Sequence, residues 1–394
     1  IAYTENGAVT NASTMSDCLD LFATIGALRA ADDQEIIRRF VRAYAEDADI
    51  SMKILFFGRD VRGGLGERRV FRVIINWLAE NRAESLRKNI EFISEFGRYD
   101  DLVSLLGTAC EKDALRTIRR QLEADLASDA EVSLLAKWLP SVNASNAETV
   151  RKAKRIARYL GMSDAEYRKT LVELRKKIRI IENHLREKDY SFDYAKQPSK
   201  AMFKYRKAFL RNDGERYNAF LEAVSSGEKQ LHADNLAPYE IVRSALNANR
   251  WGFHADLTVG EKAALNASWA SLPDFCDNRN ALAVVDTSGS MYCYDNALPA
   301  AVALSLGLYF GERNTGIFHN HFIEFSSRPQ LIEIKGKTFA ERLEYLCTFN
   351  EVADTNVEAV FDLILDAAVR NNVPQEELPE TLYLISDMEF NACV

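Results

Sequence analysis

A carboxylate and two hydroxyls stand close together in Asp286-Thr287-Ser288-Gly289-Ser290-Met291, the hydroxyls at the second and fourth positions after the aspartate. Oxygen-only donor sets of this kind suit a hard divalent cation, Mg2+ first among them. The glycine between the serines permits a tight turn. Two more oxygen donors follow far along the chain: Thr355 just ahead of a helical pattern, and Asp387 at the end of an apolar run. Chemistry at a metal therefore requires a fold that brings Asp286, Ser288, Ser290, Thr355 and Asp387 to one rim.

The same residues do not spell a catalyst. An aspartyl phosphatase of the haloacid dehalogenase type needs a second aspartate where Ser288 stands. An aspartic protease needs Asp-Thr-Gly or Asp-Ser-Gly, usually twice, and a serine intervenes here. Ser288 lacks the Gly-x-Ser-x-Gly elbow of a serine nucleophile. No set of nucleophile, base and oxyanion donors gathers elsewhere, so the expectation is a binding protein and not an enzyme. A strand-to-helix turn capped by serine and aspartate is the plain structural alternative. His319-x-His321 puts two imidazoles on one face of a strand, but no third ligand lies nearby.

A second group of candidates is cationic. The segment Arg59-Asp60-Val61-Arg62-Gly63-Gly64-Leu65-Gly66-Glu67-Arg68-Arg69 interleaves glycines with charges, and Arg59, Arg62, Arg68 and Arg69 are candidate phosphate contacts. An ion-paired turn between helices would use the same residues internally. Further on, Lys152, Lys154, Arg155 and Arg158 crowd less than two helical turns. Lys200, Lys204, Arg206 and Lys207 do the same among Phe203, Tyr205 and Phe209. Cations beside aromatics suit phosphate contact and base stacking on single-stranded RNA, while solvated helix faces are the bland reading.

The elements that must position these groups follow from periodicity. Ala281–Val285 is apolar without alternation, as in a strand buried on both faces of a parallel sheet. A helix near 298–310, strands near 322–325 and 331–334, helices near 339–346 and 357–369, and a strand at 381–386 complete an alternating βα order. Ligands collect at the carboxyl ends of such strands. Before Arg279 the pattern is helix after helix, with apolar spacing as in Ile36-Ile37-x-x-Phe40-Val41-x-x-Tyr44 and Val70-Phe71-x-Val73-Ile74-Ile75-x-Trp77-Leu78. Helices of this length joined by short polar turns suggest pairs stacked as a solenoid, with a compact all-α domain of other topology as the alternative. The division expected is 1–278 helical and 279–394 α/β.

The chain has 394 residues, 47% hydrophobic and 27% charged, with a net charge of −8. No apolar run reaches the roughly 18 residues of a membrane span. Six scattered cysteines, none in a Cys-x-x-Cys pair, read as reduced core thiols of a cytoplasmic protein. The opening at Ile1, with neither methionine nor apolar signal core, reads as a trimmed terminus. Charge is unevenly spread. From Ala281 onward there are 6 basic and 17 acidic residues, a net of −11, whereas Arg151–Arg216 holds 20 basic and 9 acidic, a net of +11. Such separation suggests an electropositive surface on one part and an anionic one on the other.

On these residues, the segment from about Arg279 resembles a von Willebrand factor type A domain with a metal-ion-dependent adhesion site. Asp286, Ser288 and Ser290 match its Asp-x-Ser-x-Ser element, Thr355 its second-loop threonine and Asp387 its distal aspartate. The resemblance implies Mg2+ held directly by the hydroxyls, with one or both aspartates acting through water and a sixth position left for an Asp or Glu of a protein partner. It ends early, seven residues past Asp387, so the expectation is a type A domain incomplete at its carboxyl end. The glycine-rich segment from Arg59 resembles the Arg-Asp-x-Arg-Gly-Gly-x-Gly-Glu-Arg element of the TROVE module, a ring of HEAT-like helical repeats in the Ro autoantigen family, which carries a type A domain after the ring. That likeness implies a cytoplasmic ribonucleoprotein holding small non-coding RNA, Y-RNA-like or misfolded, on a basic ring. The alternative is an RNA-free protein-interaction adaptor that docks partners through the metal.

Overall fold

The computed structural model describes residues 2–3, 7–129, 132–178, 180–249, 252–293, 296–325, 328–349 and 356–388. They fall into two compact units, Ser13–Lys188 and Ile1–Ala12 with Asp189–Val394.

The Ser13–Lys188 unit is built of helices and turns, with no strand among its described residues. Helices Asp17–Thr24, Asp33–Glu46, Ala48–Arg59 and Arg69–Asn81 pack against one another in succession. Their 3.6-residue spacing turns Leu21, Ile36, Phe40, Leu55, Phe71 and Ile75 into one core. Side-chain oxygens start these helices: Ser16 accepts from the Leu19 amide, Asp32 from Glu35, and Asp47 from Asp49 and Ile50. Each cap satisfies amides that the helix itself leaves unpaired, and is worth about 1 kcal/mol. The helix Ala147–Leu160 is capped by Asn146 and ends at Gly161, whose φ of 76° lies in the left-handed region.

The second unit holds every strand of the described residues. Short antiparallel pairs are formed by β1 (Ala2–Tyr3) with β2 (Val9–Thr10), and by β3 (Leu246–Asn249) with β4 (Gly252–Ala255). Neither hairpin is foreseen from the sequence, whose polar Asn-rich run near 247–250 lacks strand alternation. The main sheet comprises β5 (Ala281–Asp286), β6 (His321–Phe325), β7 (Gln330–Glu333) and β8 (Thr381–Ile385), in the order β7-β6-β5-β8. β5 runs parallel to both neighbours, and only β7 is antiparallel.

All six residues of β5 are buried, as its unbroken apolar run predicts. Ala283 and Val285 join a core with the helix Leu298–Arg313. Leu282 and Val284 face the other way and join a core with the helix Val357–Arg370. Helices thus cover both faces of the sheet. The first helix approaches closely because Gly307 has no side chain: a Cβ there would lie 2.5 Å from Val285 Cγ2. Helices Pro238–Ala245 and Val259–Ala270 also pack into this unit, with Trp269 stacked on Phe339 at 4.5 Å. The change of pattern near 278 therefore does not coincide with the division in space at Lys188.

Candidate functional site

β5 and β8 bring Asp286 and Ser386 together at one end of the sheet. Asp286 pairs with Phe325 across β5 and β6, and Val285 pairs with Ile385 across β5 and β8. The parallel register brings the turn after β8 beside Asp286. The Ser386 hydroxyl donates to Asp286 Oδ2 at 2.5 Å, and the Ser288 amide donates to Oδ1 at 2.8 Å. Asp286 is 1% exposed, so these bonds offset the cost of burying its carboxylate. Ser288 Oγ and Ser290 Oγ lie 3.1 Å apart and half-buried at the rim.

That spacing bears on whether a metal fits. Octahedral Mg2+ binds oxygen at about 2.0–2.1 Å, which puts adjacent ligands about 3.0 Å apart. The two serine hydroxyls match neighbouring vertices. Both Asp286 oxygens already accept a hydrogen bond, a state suited to holding a metal-bound water and less suited to direct ligation. Asp387 is exposed in the turn that follows β8. Thr355 lies outside the described residues. Among those residues no cluster of three His, Cys, Asp or Glu suits a metal, so a cation here depends on hydroxyls. Ser386 is the rim residue that sequence reasoning missed. Its signal was register, since a hydroxyl ends the strand paired with β5.

Beneath the rim, Asp286, Thr287, Tyr292, Glu324 and Cys347 line a cavity of about 20 Å3, room for a single water. Burial, with the charges of Glu324, Cys347 and Asp286 adding to it, pushes the Tyr292 phenol up to about 12. Burial likewise pushes the Cys347 thiol up to about 11. Each His of the 319–321 pair bonds a backbone carbonyl, His319 to Asn314 and His321 to His319.

The cationic candidates separate into three groups. Arg59 and Arg206 are buried, which corrects the expectation that they touch RNA. Arg59 has no exposure and pairs with the equally buried Asp101 at 2.8 Å, while Arg72 holds the other Asp101 oxygen at 2.7 Å. Arg206 lies over the Phe203 ring at 4.1 Å, and burial lowers its guanidinium below the ordinary arginine value. The second group is exposed but engaged. Arg62 donates to the Glu95 carbonyl, Arg69 to the carbonyls of Arg29 and Ala31 and to Asp33. Asp60 accepts from the Arg62 and Gly63 amides, and Glu67 from the Arg69 amide. The glycine-rich segment is thus organised as an ion-paired turn, with Arg68 exposed beside it. Lys200 pairs with Glu240 at 3.7 Å, Lys207 with Glu261 at 2.7 Å, and Lys204 sits over Tyr205.

The third group forms a surface. Arg151, Lys152, Lys154, Arg155 and Arg158 of the helix Ala147–Leu160, with Leu106 and Glu148, line a groove of about 400 Å3. Arg151, Arg155 and Arg158 recur at helical spacing on one face. Lys152 pairs with Glu148, Lys154 with Asp164 and Arg155 with Glu111. Among the described residues no ion pair engages Arg151 or Arg158, and both are exposed. Arg151 was absent from the candidates chosen by clustering, because it precedes the densest run by one residue.

In class, then, this is a helical unit joined in one chain to an α/β unit whose parallel strands end in oxygen donors. The chain belongs to the family described as Domain of unknown function (DUF2828), whose model matches residues 4–126 and 112–275. A second model, Domain of unknown function (DUF7788), matches residues 280–394. The chain is similar to the uncharacterized protein L728 of Acanthamoeba polyphaga mimivirus, 27% identical over 432 aligned positions that span 100% of this chain and 73% of that protein. Among solved structures, the Ro (RSR) protein of Deinococcus radiodurans aligns over 99% of this chain and 84% of that one, with a TM-score of 0.41 and 15% identity, a level at which two folds need not be the same. No helix among the described residues is long and apolar enough to cross a membrane.

Proposed function

We propose that this chain is a non-catalytic RNA-binding protein of Ro-like organisation, with a basic helix face for RNA and a type A-like domain for metal-dependent docking. The observation that carries the RNA half is the groove along Ala147–Leu160, lined by five cations, two of which, Arg151 and Arg158, join no ion pair among the described residues. Phosphate contact and counterion release would drive binding there, with single-stranded stretches of small or misfolded non-coding RNA as the ligand. Ser288 and Ser290, together with Thr355, would hold Mg2+; Asp286 and Asp387 would reduce its charge. Bound there, the ion would offer an open position to an Asp or Glu of a protein partner. Free thiols at Cys18, Cys110 and Cys276 fit a reducing, cytoplasmic setting.

Electrophoretic mobility shift with short single-stranded and hairpin RNAs, at 50 and 200 mM salt, tests the reading. The expected result is a shift that weakens with salt and is lost in Arg151→Glu/Arg158→Glu, two exposed positions whose reversal leaves the core intact. No shift at the lower salt, or one indifferent to the double reversal, would overturn it. The second reading, an RNA-free adaptor, draws on the paired serine hydroxyls at the rim. It predicts protein free of nucleic acid on purification and partner capture that Mg2+ removal abolishes.

A further inference from the structure

The α/β unit contains another concave site, which neither the metal rim nor the basic helix uses. It is a groove of about 680 Å3 set among the turn after the helix Gly214–Ser225, the helix Val259–Ala270, the end of Leu298–Arg313 and the start of Phe339–Leu346. That volume is the size of a small-molecule pocket, not of a protein or duplex interface. Its charged lining is four cations, Lys229, Arg313, Lys337 and Arg342, and one acid, Glu312.

The acid is committed. Its carboxylate accepts from Trp269 Nε1 at 2.8 Å and pairs with Arg342 at 2.8 Å, and its side chain is only 8% exposed. Arg313 is fixed by stacking over Tyr309 at 4.1 Å and lies 3.6 Å from the same carboxylate. Lys229 and Lys337 are exposed, and no ion pair engages either among the described residues. Two arginines are thus held in place at one carboxylate while two exposed ammoniums stand at the groove wall. The excess of positive charge over negative is three. An empty pocket so lined is repulsive to itself, and a multiply charged anion relieves that repulsion.

We propose that this groove binds a small polyphosphate, either an inorganic chain or the phosphate tail of a nucleoside triphosphate. Phosphate chains match the lining because they spread several charged oxygens over a length that separate cations can share. Arginine contributes planar forks and lysine point charges to the same anion. A single carboxylate would meet one cation and leave the others unpaired. The Thr338 hydroxyl on the wall accepts from the Glu341 amide and keeps its own hydrogen to donate, whereas those of Ser225 and Ser271 already donate to the Leu221 and Ala267 carbonyls.

Isothermal titration calorimetry on the full chain tests this, in EDTA and low salt so that the oxygen rim takes no part. The probes are tripolyphosphate, ATP, adenosine and citrate. Saturable binding of tripolyphosphate and ATP is expected, with none for adenosine. Equal affinity for the two would assign the site to the phosphate chain alone, and tighter ATP would add a contact to its nucleoside. Lys229→Ala/Lys337→Ala should weaken both by about tenfold or more, the weight of a lost charge-assisted hydrogen bond, while keeping the circular dichroism of the parent. Lys53→Ala/Lys176→Ala, exposed positions of the other unit outside the basic groove, should leave them unchanged. No heat from either polyphosphate, citrate binding as tightly as tripolyphosphate, or undiminished affinity in the lysine variant would each overturn the proposal.

Discussion

Arg59 shows how one residue type serves opposite ends depending on its partner. Its guanidinium and the Asp101 carboxylate are both fully buried, 42 positions apart in the chain, and Gly97 leaves room for them: a Cβ there would sit 2.6 Å from Asp101 Oδ2. Removing one member of a buried pair strands the other's charge, a loss of roughly 3–5 kcal/mol. Arg72 would still hold Asp101, so Arg59→Met should fall near the lower end, about 3 kcal/mol, in urea unfolding; a loss below about 1 kcal/mol would contradict the network. At the rim, Ser288→Ala/Ser290→Ala removes two half-buried hydroxyls from no core contact. If these hydroxyls ligate Mg2+, the ion should stabilise the parent by about 2.7 kcal/mol at a hundred times its dissociation constant. The double variant should show no such rise, whereas an equal rise in both would move the metal elsewhere. That Asp286, Ser288 and Ser290 share one turn was legible because their spacing is local. Arg59 was not, because nothing near it in sequence reveals Asp101.

Helices and strands were more readable than their contacts. The apolar run of β5 and the periodicity of Leu298–Arg313 and Val357–Arg370 mark their own extents, since burial on both faces or on one stripe leaves a direct trace in residue type, whereas the equally apolar β8 is only half-buried. The β3–β4 hairpin left no such trace, because it is short and polar at its turn. Nor could composition show that Val259–Ala270 packs on the helix Phe339–Leu346 of the sheet's unit. The former helix carries a prediction of its own. Thr258 and Glu261 form a capping box, and Glu261 also takes a 2.7 Å bond from Lys207 of the preceding helix pair. The Lys207 bond, then the Thr258 amide and hydroxyl, hold the Glu261 carboxyl down at about 2 from its ordinary 4.5. A depressed folded-state pKa contributes stability that is complete above the unfolded value and lost as pH falls through the folded one. Acid titration of the unfolding midpoint from pH 5 to 2 should therefore show a steeper fall in the parent than in Glu261→Gln. Parallel curves would mean that the cap and the lysine do not hold this proton off.

Charge is a property of the whole chain, and here its average misleads. A net charge of −8 would place the protein among poor RNA binders, yet the stretch Arg151–Arg216 alone carries +11. Much of that excess is spent internally: Arg206 is buried, Lys200 and Lys207 pair with Glu240 and Glu261, and Lys154 and Arg155 reach Asp164 and Arg155's partner Glu111. What the sequence count cannot separate is engaged charge from available charge, because ion pairing joins residues distant in the chain. Of the clustered cations, those on Ala147–Leu160 line a groove in which Arg151 and Arg158 join no ion pair among the described residues, and that has a quantitative consequence. For single-stranded nucleic acid, the logarithm of affinity falls with the logarithm of salt by about 0.7 for each phosphate neutralised. If Arg151 and Arg158 each meet one phosphate, Arg151→Ala/Arg158→Ala should flatten that slope by about 1.4. Lys200→Ala/Lys207→Ala, which removes the same formal charge from engaged positions, should leave it nearly unchanged. Filter binding of a fluorescent single-stranded RNA across 50–300 mM salt measures both slopes. Equal flattening by the two pairs would show that affinity follows bulk charge and not the groove.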